Sequence, residues 1–181
     1  GTRSGNGLWR STDSGATWSQ VTAFPSAGDY AQDPTDTYGY ASDRIGVTWI
    51  TFDPASSSPG QASKVIYVGV ANTTSPSVYR STDAGETWQP LEGQPAAGYM
   101  AHHGVLTPNG ILYLTYSDKA GPYDGGHGDV WKFDTNQSVW TQISPVPSSN
   151  TNDNYFGYGG LAVDPKDPDV LVVSSLNSWW P

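Results

Sequence analysis

No cysteine occurs in the 181 residues, so neither a disulfide framework nor a thiolate-held metal is open to this chain. Charge is scarce too, at 14% of residues, and the basic share is small: 8 Lys and Arg against 17 Asp and Glu, a formal net charge of −9. A surface of that sign repels polyanions, which argues against nucleic acid and leaves a neutral partner easier to accommodate. No apolar run reaches membrane-spanning length, and no basic-then-apolar leader opens the chain. These absences predict a chain with no membrane partner, no metal and no cofactor. What is plentiful is Gly (21), Pro (14), Tyr (11) and Trp (8). That mixture suits many short aromatic-rich strands joined by turns, hence an all-β fold, and fits a secreted, extracellular protein. Asn72-Thr73-Thr74 and Asn136-Gln137-Ser138 are glycosylation triplets usable in a eukaryotic secretory pathway, although such triplets are common by chance.

One phrase occurs twice. Ser-Thr-Asp-x-Gly-x-Thr-Trp runs from Ser11 to Trp18 and from Ser81 to Trp88, preceded by Trp9-Arg10 and Tyr79-Arg80. In this reading the carboxylates of Asp13 and Asp83 fold back onto backbone N–H groups. Gly15 and Gly85 supply the positive φ of a tight hairpin, and Trp18 and Trp88 drop into the core of their own sheet. This is the Asp-box of β-propeller blades, a structural signature that says little about chemistry. A third copy has decayed to Asp134 through Trp140, with one extra residue between the Asp and the Trp; hairpin and anchor are expected to persist.

Longer repetition agrees. Val47 to Pro54, Gly104 to Pro108 and Gly160 to Pro165 each read as a strand ending in a turn, and the residues before the prolines (Asp53, Thr107, Asp164) stand 54 and 57 residues apart. That is a blade period. It predicts an incomplete β-propeller of about two whole and two half blades: the outer half of a blade over 1–24, blades over 44–91 and 102–143, and the inner half of another over 157–181. Four blades are usually the fewest that close a propeller, so the chain reads as part of a longer one, dependent on the remaining blades.

Blade topology puts the Asp-box turns on one face and the long loops on the other. The loops carry Tyr30, Tyr38, Tyr40, Tyr99, Tyr123, Tyr155, Tyr158, Trp179 and Trp180. Rings that cover the apolar faces of pyranoses, with Asp, Asn and His between them for the hydroxyls, suit a neutral sugar polymer. Against that, Tyr38, Tyr40 and Tyr158 are expected to pack the loops themselves. His102 and His103 do not make a metal pair, because neighbours on a strand face opposite sides and no third ligand is suitably spaced; one is expected to bond sugar hydroxyls and the other to pack. Asp124, among glycines, suggests a turn or a sugar contact. Asp43 beside Arg44 reads as an ion pair at the rim of the long loop.

Ser-Asp-Arg-Ile-Gly-Val-Thr-Trp at 42–49, Met-Ala-His-His-Gly-Val-Leu at 100–106, Gly-Pro-Tyr-Asp-Gly at 121–125, Gly-Tyr-Gly-Gly-Leu-Ala-Val-Asp-Pro at 157–165 and Leu-Asn-Ser-Trp-Trp-Pro at 176–181 together resemble the xyloglucanases of glycoside hydrolase family 74. The resemblance runs over essentially the whole chain. It implies part of the first of two seven-bladed propellers, with a cleft between them in which the β-1,4-glucan backbone of xyloglucan is cut with inversion. Inversion needs two carboxyl groups about 6.5–9.5 Å apart, one protonating the leaving oxygen and one activating water. In the family one Asp comes from each propeller, the base from a Thr-Asp-Ile-Gly-Gly-like stretch. That stretch is absent here, since Thr12-Asp13 and Thr82-Asp83 continue as Ser-Gly and Ala-Gly. The resemblance therefore implies no catalytic residue in this chain. Its implied substrate contacts are the Trp179-Trp180 platform, with Tyr123, Asp124, His102, His103 and Tyr155 around it, and its implied partners are xyloglucan or a related glucan and the second propeller.

Two other classes compete. A sialidase-type propeller needs three arginines around a carboxylate and a Tyr/Glu nucleophile pair; only Arg3, Arg10, Arg44 and Arg80 exist, and Arg10 and Arg80 belong to the repeated strands. A sortilin-like propeller that binds glycan or protein without catalysis would normally add cysteine-rich modules.

Overall fold

The computed structural model describes residues 7–39, 42–74, 76–95, 98–121, 126–147 and 156–177. Among them every regular element except one short turn of 3-10 helix at Pro54–Ser56 is a β-strand. A hairpin of β1 (Trp9–Arg10) and β2 (Ser19–Gln20) comes first. A four-stranded antiparallel sheet follows: β3 (Val47–Phe52), β4 (Ile66–Val70), β5 (Val78–Ser81) and β6 (Gln89–Pro90). A second has the same order, with β7 (Met100–Leu106), β8 (Ile111–Ser117), β9 (Val130–Asp134) and β10 (Val139–Gln142). The last sheet has two strands, β11 (Phe156–Val163) and β12 (Leu171–Asn177). First strands of successive sheets lie against each other, β3 on β7 and β7 on β11, as the innermost strands of propeller blades do.

Strand burial follows from that stacking. All five residues of β4 and six of seven in β8 are buried, because a second strand has a neighbouring sheet on each face. Their sequences are accordingly near-continuous apolar runs. On β3 alternation returns: Val47 and Trp49 are buried while Ile50 is exposed. Trp49 fills the seam between the two complete sheets. A Cβ added at Gly69 would lie 2.0 Å from its Nε1, and one added at Gly104, on the next sheet, 2.8 Å from its ring. Both glycines admit the indole, whose buried Nε1 has no hydrogen-bond partner among the described residues.

The seams also carry hydrogen bonds. Thr48 Oγ1 donates to Ala101 O at 2.8 Å, tying β3 to β7, and Thr115 Oγ1 donates to Gly159 O at 2.6 Å, tying β8 to β11. Each first strand carries a bulge near its start, at Thr48, at His102 and between Tyr158 and Leu161. A bulge re-aims the extra residue out of the ladder, and here that residue is repeatedly used to reach a neighbouring segment.

The geometry of the twin turns is as read, but Trp18 does not enter a core: it is 62% exposed, whereas Trp88 is 7% exposed. Trp88 packs with Ile66, Val68 and Tyr79 of its own sheet. The β1–β2 hairpin has no inner strands among the described residues to cover the equivalent indole.

Candidate functional site

The long loops and the starts of the first strands share one end of the sheets. Of the residues expected to touch substrate, Tyr123, Asp124, Tyr155, Trp179 and Trp180, like Tyr40, lie outside the described residues. His102 and His103 lie within β7, which starts at Met100, rather than in the loop before it. Register explains their split. Ala101 pairs with Tyr116 and His103 with Thr115, so His102 is the bulged residue. Its Nε2 donates to the carbonyl oxygen of Ala120 at 2.9 Å, leaving its ring half-buried. His103 is exposed, and what burial its ring has, followed by the adjacent His102, holds its pKa below the ordinary imidazole value. At neutral pH it is thus biased to the uncharged form, which both donates and accepts.

Around these residues the loop aromatics sort differently from expectation. Tyr30 is buried against Ala71 and Met100, since its backbone N and O pair with Ala71 O and Ile45 N and fold the ring under the loop. Tyr38, expected to pack, is 86% exposed. Tyr158 is buried as expected, its hydroxyl donating to Val146 O at 2.9 Å and accepting from Val146 N at 3.1 Å; burial pushes its pKa up. Asp43 and Arg44 make no ion pair with each other, and both are exposed on a bend before β3. Among the described residues no group of acidic, His or Cys side chains is placed to hold a metal.

Two anchors were not legible as such. Asn72, within a glycosylation triplet, is buried and holds the 26–29 loop: its Oδ1 accepts from Asp29 N at 2.9 Å, and its Nδ2 donates to Ser26 Oγ at 2.9 Å and to Pro76 O at 3.0 Å. Asp118 closes the segment that follows β8. Its backbone N donates to His127 O at 2.9 Å, and its Oδ1 accepts from Gly126 N at 2.9 Å and His127 N at 3.1 Å. An Asp directly after a strand is the signal that could have pointed to it. Beyond that base, a Cβ at Gly121 would lie 3.1 Å from Leu176. The segment leading to Tyr123 and Asp124 therefore abuts the residue that precedes Asn-Ser-Trp-Trp-Pro, bringing the stems of the two expected contact loops together.

The opposite end holds the twin Ser-Thr-Asp turns. Thr17 donates to Asp13 through both its hydroxyl (2.6 Å) and its N–H (2.9 Å), and Ser11 Oγ adds a bond at 2.8 Å. Thr87 and Ser81 do the same for Asp83 at 2.6, 2.8 and 2.8 Å. These bonds, the Thr hydroxyl first, hold both carboxyls down at about 2. Carboxylates so engaged are fixed acceptors in a turn, not acids or bases for catalysis. In the third copy Asp134 caps Asn136 N and Gln137 N at 2.9 and 3.1 Å, and Trp140 stacks on Phe133 at 4.8 Å while donating to Glu92 O at 2.9 Å, so its anchor also spans to the preceding sheet.

Known proteins decide the family. A xyloglucanase of Paenibacillus sp. is 61% identical over all 181 residues, of which the chain covers 17% of its length, and xyloglucanase Xgh74A of Acetivibrio thermocellus is 55% identical over the whole chain and 21% of its own. Among solved structures, a family 74 xyloglucanase from Xanthomonas campestris superposes with a TM-score of 0.81 at 39% identity, covering 94% of this chain and 24% of that one. The chain belongs to glycoside hydrolase family 74. No protein-family model matches it. This family 74 chain spans about a fifth of the length of the curated relatives it matches.

Proposed function

We propose that this chain is a cleft-lining part of a xyloglucan-degrading, inverting β-1,4-glucanase, with both catalytic carboxyl groups supplied by other parts of the enzyme. The observation that carries the reading is identity of 61% and 55%, end to end, with two xyloglucanases. The loop end of the sheets would bear the substrate. Trp179 and Trp180 would form the stacking platform, with Tyr123, Asp124, His103 and Tyr155 around it, and uncharged His103 is suited to sugar hydroxyls. His102, already donating to Ala120, is better read as a support than as a contact. The remaining blades and a second propeller would complete the cleft. Because the substrate is a cell-wall polymer, the enzyme would act outside the cell.

The test is retardation of this chain in native gels cast with xyloglucan, beside gels cast with an unrelated neutral polymer such as mannan. Retardation in xyloglucan alone, abolished in the Trp179→Ala/Trp180→Ala variant, is expected. Equal mobility in every gel would remove the binding role.

A further inference from the structure

The loop between β2 and β3 is fastened at its root. Asn72, just past the end of β4 and 2% exposed, accepts from Asp29 N at 2.9 Å and donates to Ser26 Oγ and Pro76 O at 2.9 and 3.0 Å. The Asp29 carboxylate in turn accepts from Thr73 N at 3.3 Å and from the Thr74 hydroxyl. Beside them Tyr30 N donates to Ala71 O at 3.0 Å, Ile45 N to Tyr30 O at 2.9 Å and Ala71 N to Gly46 O at 3.0 Å. The outgoing and returning arms of the loop, 26–30 and 45–46, thus meet on the segment that follows β4. Their approach requires a glycine: at Gly28, with φ +88, a Cβ would lie 2.3 Å from Ile45 O.

Beyond that root the outgoing arm is ordered by its own side chains. Asp33 Oδ1 accepts from Thr35 N and Oγ1 at 2.9 and 2.6 Å, Asp36 N donates to Asp33 O at 3.2 Å, and Asp36 Oδ1 accepts from Tyr38 N at 2.9 Å. Successive Asx turns fix the backbone locally. They carry a ring left in the open: Tyr38 is 86% exposed, more than any other large hydrophobic side chain among the described residues, while Tyr30 and Tyr158 at the same end are buried. A lone exposed ring on a loose strap would ask for no explanation. One carried on a loop bonded at root and tip has given up its freedom before any contact, which is where a binding surface gains. Asp33 and Asp36 flank the ring and repel an acidic ligand, whereas a pyranose offers hydroxyls to carboxylates and an apolar face to the ring.

We propose that Tyr38 is a stacking contact for a sugar unit of the β-glucan, and that Asn72 is a positioning residue that holds the loop in the orientation presenting it. The inference rests on the reading of the chain as part of a xyloglucanase. The loop emerges at the end of the sheets where the first strands start, so its ring extends the surface proposed for the substrate. Asn72 touches no sugar in this scheme; it acts through Ser26 and the N–H of Asp29.

The experiment uses the full-length enzyme that contains this chain, with KM and kcat on xyloglucan read for Tyr38→Ala, Tyr38→Phe, Asn72→Ala and the Tyr38→Ala/Asn72→Ala pair. Tyr38→Ala is expected to raise KM about fivefold with kcat within about twofold, and Tyr38→Phe, which keeps the ring, to stay near the native KM. Asn72→Ala is expected to raise KM about threefold alone and to add nothing in the Tyr38→Ala background, because its effect passes through the ring. If Asn72→Ala does not fold, Ser26→Ala, which removes one partner of the same amide, is read in its place in both backgrounds. Native KM in Tyr38→Ala, on an enzyme that does cut xyloglucan, overturns the inference alone. A KM as high in Tyr38→Phe as in Tyr38→Ala overturns it as well. Equal KM factors from the Asn72 substitution in both backgrounds overturn the positioning role. Failure of the unaltered enzyme to release any sugar from xyloglucan overturns the substrate reading and the inference with it.

Discussion

The turns at Ser11–Trp18 and Ser81–Trp88 have the same sequence pattern and nearly the same hydrogen bonds, yet one buries its tryptophan and the other leaves it 62% exposed. Even the backbone agrees, with Ser14 and Ala84 at φ 60 and 61 and Gly15 and Gly85 at 89 and 91. The polar half of the motif is therefore local. Ser, Asp and Thr satisfy one another within eight residues of chain and need nothing else. The apolar half is not local, because the indole requires inner strands beneath it. Trp88 has them: Ile66 lies beneath Gly85, Trp88 Nε1 donates to Gly85 O at 3.1 Å, and Phe24 from the preceding segment meets the ring edge-on at 5.1 Å. Trp18 instead lines an open apolar groove with Ile50 and Phe52.

Substituting the two indoles breaks the comparison most forcefully. Trp88→Ala should cost about 3–5 kcal/mol in denaturant unfolding, the range for emptying a core site, and Trp18→Ala less than about 1 kcal/mol. Equal losses would mean that the hairpin indole is covered after all. Gly69→Ala should follow at about 3 kcal/mol or less, since the added methyl meets Trp49 head-on and must displace the inner strands that support Trp88. Thermal melts with near-ultraviolet circular dichroism would show whether tryptophan packing is lost with it. Smaller still is the effect of Ser81→Ala against Ser11→Ala. Both hydroxyls bond Asp and Gly, but Ser81 is buried, so its loss should cost about 1–2 kcal/mol and that of Ser11 about half as much.

The last contrast is predicted to vanish. Both Asp carboxyls sit at about 2 for the same reason, bonds from Thr and Ser, so carbon-detected NMR titration should give coincident midpoints for Asp13 and Asp83. A carboxyl held below its unfolded value of 3.8 stabilises the fold above that pH and loses the contribution as the pH falls toward 2. Midpoints well apart would show that the turn chemistry depends on the sheet behind it.

The same division explains what could be read from the residues. Strand β3 occupies Val47–Phe52 as the alternation of its apolar side chains requires, and the hairpins follow from Asp and Gly at fixed spacing. β7 was harder. His102-His103-Gly104 breaks apolar alternation, so the strand reads as starting at Gly104, but a bulge absorbs the irregular residue and pairing continues back to Met100. Loop aromatics carried no directional signal. Whether Tyr30 or Tyr38 turns inward depends on which backbone groups pair across the loop, here Tyr30 with Ala71 and Ile45, and those pairings are long-range. Asn72 and Asp118 carry no such signal either: their partners are distant in sequence, and a single polar residue in a loop has no period to betray it. Five of the seven candidate contacts, all but His102 and His103, lie outside the described residues.

The most direct test of the account is release of reducing ends from xyloglucan by the full-length enzyme, beside an equal amount of this 181-residue chain. Activity in the former and none in the latter is the predicted result, because the proposed function assigns this chain binding surface and no carboxyl pair. Turnover by the 181-residue chain itself would contradict the account and direct the search for a working pair to Asp43, Asp124 and Asp153.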